Sequence, residues 1–448
     1  MMKESSEFCY IFRNGHRQCL SNFIIVMVLL FSSRSYSKNK FWFTGSIQGR
    51  GGVHTETPHT LATHRYQLDF KQNARFSKSL SMVAGFQSWA EVAPAVDAEK
   101  RPDQYLKEDS SDFSPSDLYL QKSLGSGFLR AGYQQAPWGE TFGFFYSDLV
   151  NPRDFRDGGF GDIADLRLSV PMVNYKYVSS RVGIQFLYLP QPMFHLLPLP
   201  GSDFAPSVDL TQLGLLTTTS LVVEREKEKE FGGGGGEYGI RANYYYSPLE
   251  FALFYFRGYD RFPYYELASY DSIQVKLKEN HAPMQSFGLS STIELGGFLV
   301  RLEGILFAQR RFPSLSSSYG LTYVESNERV FVSELDLPSF WGIRTSLQWA
   351  NSLVMNPVQG KALMREVEVQ TVSARLQKDL PGDQSVELIY LASVSDRGSR
   401  LMGKYVVPLS GKIDSQFSLD LFSGPESSDW GQIKNASRAF VSLKCYLK

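Results

Sequence analysis

Between Ala136 and Val170 the sequence concentrates groups that attract or repel charged solutes. Asp148, Arg153, Asp154, Arg156, Asp157, Asp162, Asp165 and Arg167 lie within 20 residues, with Asn151 among them as a neutral donor and acceptor. Carboxylates and guanidiniums opposed across a wet passage create a transverse field that sorts solutes by charge and dipole. On a surface loop the same residues would pair with one another and face water, and spacing alone leaves both arrangements open. Trp138, Phe142, Phe144, Phe145 and Tyr146 share the stretch. They either line a slot for an apolar solute or anchor at a lipid interface. Asp157-Gly158-Gly159 with Asp162 and Asp165 offers oxygen ligands near a tight turn, but the spacing is not that of a calcium loop, so no metal site is assigned.

Other chemistries have little support. His54, His59 and His64 match no tight metal spacing and are expected at a turn or in solvent, and His195 and His281 stand in no serine-hydrolase elbow. The mixed-charge run Glu224–Glu230 and the five glycines after Phe231 read as a flexible outer loop, 190–236, because no Gly-Lys-Ser/Thr follows to cradle a phosphate. Formal charge is zero, so no strong field points to nucleic acid. No cofactor and no enzymatic activity are expected.

The elements that carry these groups have a period of two. Tyr66, Leu68, Phe70, Ala74 and Phe76 share one face, broken only by Gln72, of a segment whose other face holds Arg65, Gln67, Asp69, Lys71, Asn73 and Arg75. Similar runs recur around Tyr238–Tyr246, Val300–Gln309, Trp341–Trp349, Gln416–Leu421 and Arg438–Lys448. Soluble strands are usually about five or six residues, whereas strands that cross a bilayer in a barrel need about 9 to 11. The longer runs, apolar on one face and charged on the other, predict lipid outside and a wet lumen inside. On that register Arg65, Asp69, Lys71, Arg75, Arg130, Arg241, Arg301, Glu303 and Arg344 face the lumen. Short connections alternate with long polar ones at 96–115, 136–171, 190–236 and 310–328. Strict up-and-down order gives 18 strands, with 16 as the alternative, and assigns residues 269–279 either to the next strand or to an outer loop.

Residues 1–37 read as a cleaved secretory signal: Arg13 and Arg17 precede the apolar run Phe23–Phe31, and Ser35-Tyr36-Ser37 supplies small residues at the cut. Cys9 and Cys19 would leave with it, so Cys445 alone remains and no internal disulfide is expected. Mean hydropathy is −0.22, which suits a barrel, since only alternate strand residues need to be apolar.

Residues 128–204 carry a further text: Gly132-Tyr133-Gln134-Gln135, Trp138-Gly139-Glu140, Asn151-Pro152-Arg153-Asp154 and Leu197-Pro198-Leu199-Pro200-Gly201-Ser202. This resembles a large family of proteobacterial porin-like proteins catalogued as domain of unknown function 1302. Tyr133 stands where that family usually has Arg, and Leu199 interrupts its proline run. The resemblance implies an outer-membrane barrel with an in-folded loop and names no substrate.

The sequence therefore predicts an all-β chain: a signal peptide at 1–37, then one transmembrane antiparallel up-and-down β-barrel over 38–448. An in-folded loop lies near 136–170 and a flexible outer loop near 190–236. The expected role is an outer-membrane channel of a Gram-negative envelope, passing small or hydrophobic solutes passively through a charged constriction. The alternatives are a non-transporting surface barrel whose outer loops bind a partner, or the outer-membrane component of an export system. Expected partners are membrane lipid, the barrel assembly machinery and an unidentified small solute.

Overall fold

Alternating side chains make each of these segments a strand with one greasy and one polar face, and strands of this kind satisfy their backbone groups only by pairing on both sides. The computed structural model describes residues 40–447 apart from 58, 92–110, 140, 145, 161–162, 199–201, 206–219, 225–234, 271–273, 317–319 and 357–361. Residues 1–37, read as a signal, and Asp162 thus lie outside the described residues, as does much of the 190–236 stretch.

The first strands are β1 (Lys40–His54), β2 (Leu61–Arg75), β3 (Leu80–Glu91), β4 (Ser111–Leu124), β5 (Gly127–Gln134), β6 (Val170–Val178) and β7 (Val182–Leu189). Next come β8 (Ser220–Glu224), β9 (Glu237–Tyr246), β10 (Leu249–Tyr259), β11 (Tyr264–Tyr270), β12 (Gln274–Asn280) and β13 (Pro283–Leu295). Then follow β14 (Phe298–Ser316), β15 (Gly320–Phe340), β16 (Ile343–Met355) and the two-residue β17 (Ala362–Leu363). The chain ends with β18 (Glu368–Leu380), β19 (Gln384–Ser393), β20 (Ser399–Ser410), β21 (Ile413–Ser423) and β22 (Arg438–Leu447).

Leaving aside β8, β11, β12 and β17, each strand pairs antiparallel with the strands before and after it. β22 then closes on β1, with Gly45 opposite Leu447 and His54 opposite Arg438. The result is a closed ring of 18 strands. With strands about 4.8 Å apart and tilted by about 40°, such a ring is roughly 36 Å across. Tyr66, Phe186, Leu253, Phe287, Phe417 and Leu443 are exposed on the outer face, and closure leaves no free edge.

One rim carries only tight turns. The turn between β15 and β16 lies at Trp341-Gly342. A bulge between Leu337 and Phe340 lets Pro338 sit inside β15, where its missing N–H costs no ladder bond. The other rim carries the long connections. The expected loop at 310–328 is instead a continuation of β14 and β15 beyond the ring. Residues 269–270 and 274–279 belong to a connection on the long-loop rim and not to the next ring strand: β11 pairs with β12, and β12 pairs in parallel with β8, making a small three-stranded sheet.

Candidate functional site

The stretch between β5 and β6 runs from Gln135 to Ser169 and contains one helical turn, α1 (Ile163–Leu166). Asn151, fully buried, fastens its two ends. Its Oδ1 accepts the Ala136 N–H at 2.7 Å, and its Nδ2 donates to the carbonyls of Leu168 at 2.8 Å and Gln134 at 3.2 Å. Asn151 is therefore a positioning residue, with no surface left for a solute. Asp148 works beside it, accepting from Arg153 Nη2 at 2.6 Å and from Arg167 Nε.

Between these fastened ends the segment reaches both walls of the ring. On one side the Thr141 N–H and the Ser147 hydroxyl donate to Glu303 of β14. The Phe142 N–H donates to Glu334 of β15 at 2.7 Å. Trp138 is fully buried there, its Nε1–H donating to Gln185 of β7 at 3.1 Å while Arg241 of β9 donates to its carbonyl. Its ring lies against Phe254 and Phe256 of β10, and a Cβ on Gly239 would stand 2.5 Å from it, so β9 needs glycine at that point. With Phe144, Leu149 and Val150 it forms an apolar core inside the ring. Of the aromatic residues, Trp138 and Phe144 pack into this core, Phe144 and Tyr146 also border a cavity, Phe142 lies under Arg375, and Phe145 is outside the described residues.

On the opposite wall Asp157 is gripped by Arg438 of β22 and Arg50 of β1, each at 2.5 Å, with Arg65 of β2 at 3.7 Å. Burial alone would raise its carboxyl, but Arg438, Arg50 and Arg65 outweigh burial and hold it far below the usual carboxylate range. Those guanidiniums occupy the Asp157 oxygens that a calcium ion would need. Arg400 of β20 donates to the Gly158 carbonyl at 2.7 Å, and Phe160 meets Phe440 edge-on at 4.8 Å. Arg156 bonds Asp154 at 2.7 Å and Asp112 of β4 at 2.8 Å, over the face of Trp89.

The segment separates two cavities. A cavity of about 920 Å³ toward the long-loop rim is bordered by Phe144, Tyr146, Asp148, Arg153 and Phe155. One of about 460 Å³ toward the short-turn rim is bordered by Asp154, Asp157, Phe160 and Asp165. A third, of about 630 Å³, shares His195 with the first and Asp69, Gln87, Asp112 and Asp165 with the second. His195 stands at that junction, packed against Phe155 and Phe262. Burial first, then Arg153, Arg261 and Arg310, hold its imidazole well below its usual range. It is therefore neutral, and Nδ1 accepts the Arg153 N–H at 2.8 Å. His54, expected at a turn or in solvent, is buried, bonding Thr60 across the β1–β2 turn and Asp203.

The residues expected to charge the lumen are mostly paired. Arg65 bonds Glu91 at 2.9 Å, Lys71 bonds Asp117 at 2.6 Å, Arg301 bonds Asp336 at 2.9 Å and also Glu334, and Arg344 bonds Asp379 at 3.0 Å. Arg130 donates to Gln121 at 2.6 Å, and Asp69 accepts from Ser46 at 3.1 Å. Arg75 ends β2, exposed. Sequence reasoning missed Arg50, Arg438 and the Arg261–Glu237 pair, whose closest contact is 2.8 Å. Alternation in β1 and β22 carried a signal for the first two. Arg261 sits in an outer loop, where no period exists to read.

A closed ring of 18 antiparallel strands, greasy outside and charged inside, defines a porin-like transmembrane β-barrel. Solved structures with this fold include OccAB2 of Acinetobacter baumannii, at 11% identity over 91% of this chain and 98% of that one, with a TM-score of 0.51. OccK8 (OprE) of Pseudomonas aeruginosa is similar at 9% identity over 91% and 97%, with a TM-score of 0.51. No curated protein matches the sequence. Residues 53–329, more than half of the chain, match the family described as "protein of unknown function (DUF1302)", and the chain belongs to that family. The match extends well beyond residues 128–204, which carry the resembling motifs.

Proposed function

We propose that the protein is a channel of the bacterial outer membrane that passes small or hydrophobic solutes passively, with residues 136–170 as its charged constriction. The observation that carries this reading is the crossing segment: fastened to β14 and β15 on one wall and to β22 and β1 on the other, it stands between two cavities. An anchor for surface loops has no need of such a bridge, whereas a channel needs a narrow, charged and firmly held zone. The third cavity supplies the side route past His195. In this reading the long-loop rim faces outward and residues 1–37 are removed on export. The barrel assembly machinery and membrane lipid are the partners of biogenesis, and no cofactor, nucleic acid or catalysis is involved. Single-channel recording in planar bilayers tests it. Discrete openings are expected, larger in a variant lacking residues 141–166. Silence from both proteins would refute transport and favour the anchor.

A further inference from the structure

The cavity at the long-loop rim has a charge balance that its arginines conceal. Arg153, Arg261, Arg310, Arg311 and Arg365 all border it. Each is matched by a carboxylate: Asp148 at 2.6 Å, Glu237 at 2.8 Å, Asp260 at 2.6 Å, Glu325 at 3.5 Å and Glu328 at 3.0 Å, respectively. Glu366, Asp396 and Asp429 border the same space, and among the described residues none has a basic partner within salt-bridge distance. Asp396 and Asp429 are adjacent, the Asp429 N–H donating to Asp396 Oδ2 at 3.0 Å. Burial and this neighbour push the Asp429 carboxyl up, and Arg365, beyond salt-bridge distance, only partly offsets them. Asp148 adds an independent sign: its side chain is 2% exposed, Oδ2 is used by Arg153 and Arg167, and Oδ1 has no hydrogen-bond partner among the described residues. Across the cavity Phe155 and Phe262 stack at 6.1 Å, and Phe262 is 46% exposed.

We propose that this cavity binds an organic cation with an apolar body, its ammonium head at Asp396 and Asp429 and its body against Phe262 and Phe155. An anion finds every guanidinium already matched and meets the surplus carboxylates. A bare inorganic cation has no apolar body to bury against the aromatic wall, whereas an amine that carries one gains at both ends. A volume of about 920 Å³ is ample for a molecule of drug size. The inference deepens the channel reading by naming its solute class, and rests on that reading only for passage after binding.

Calorimetric titration of the full-length protein in detergent, with phenethylammonium and with benzoate, tests it. Phenethylammonium is expected to bind and benzoate not. Asp429→Asn should weaken the amine about tenfold, the size of one contact between charged groups in water's presence, since the Asp429 carboxylate accepts no hydrogen bond among the described residues. Phe262→Ala should weaken it roughly fivefold. Retained heat-dependent gel mobility certifies that both variants are folded. Equal binding of benzoate, or amine binding unchanged in both variants, would overturn the proposal. Bilayer recordings separate the two readings: amine binding without ion current would sink transport and leave the site, and current without amine binding would sink the site and leave transport.

Discussion

Replacing Asp157 by asparagine removes the charge that ties the crossing segment to the β22–β1–β2 wall. Its carboxylate is 18% exposed, Arg438 2%, Arg50 12% and Arg65 19%. Removing one member of a buried ion pair costs about 3–5 kcal/mol because the survivor stays charged and dry. The small exposures place this site near the lower end, at about 3 kcal/mol, which shifts a docked-to-released equilibrium on the order of 100-fold. The loss is local. Trp138, Glu303 and Glu334 still hold the far end of the segment, and the ring itself loses no ladder bond. Single-channel records should therefore show a larger and noisier conductance in Asp157→Asn, with the heat-dependent gel shift unchanged. A double-mutant cycle with Arg50→Gln isolates the pair, because Asp157 is the carboxylate Arg50 bonds. Wild-type conductance and noise in folded Asp157→Asn, or strict additivity in the cycle, would refute the clamp. The depressed carboxyl also fixes a sign. Stability from Asp157 is present above its ordinary range near 3.8 and is lost only as pH falls through its lower folded value, so mild acid should leave this anchor in place.

Mild acid acts elsewhere. His195 is held below its ordinary value of 6.5, so its contribution is complete above that value and is lost as pH falls beneath it. Conductance noise should rise below about pH 6.5 and stay flat in His195→Asn, whose Oδ1 can still accept the Arg153 N–H. Gly239→Ala sets a methyl 2.5 Å from the Trp138 ring and should enlarge conductance at a cost of about 1–3 kcal/mol, while Gly304→Ala, with neighbours at 3.7 Å, should be silent in both assays. Asn151→Ala orphans the Ala136 N–H and the Leu168 carbonyl, so about 2–4 kcal/mol is lost and the gel shift should occur at lower temperature.

The ring was legible because lipid favours apolar side chains outward: on strands such as β2, where only Gln72 breaks the run from Tyr66 to Phe76, phase and length survive in the sequence. The rule lapses outside the membrane. In β14 the residues Phe307 and Arg310 flank a bulge at Gln309, whose φ is 64°, and the inward phase passes from Ile305 and Phe307 to Arg310 and Phe312. That slip, with Pro313 and a run of serines, reads as a loop although the strand continues. The charge cluster of 148–167 was visible, and so was Asp157, but its partners come from β1, β2 and β22, hundreds of residues away in part. Alternation says that Arg50 and Arg438 point inward; only ring closure brings them to one carboxylate. Asn151 looked as suited to meeting a solute as Arg153 and Asp148, but those two border a cavity and Asn151 does not.

The parallel pairing of β12 with β8 joins two connections that are separate in the chain, one following β7 and one following β10. A chimera that exchanged either connection alone with a homologue would strand half of a sheet, exposing Val275 and Leu277, which are buried. The two must be transplanted together, and an antibody raised against one would report on the conformation of the other.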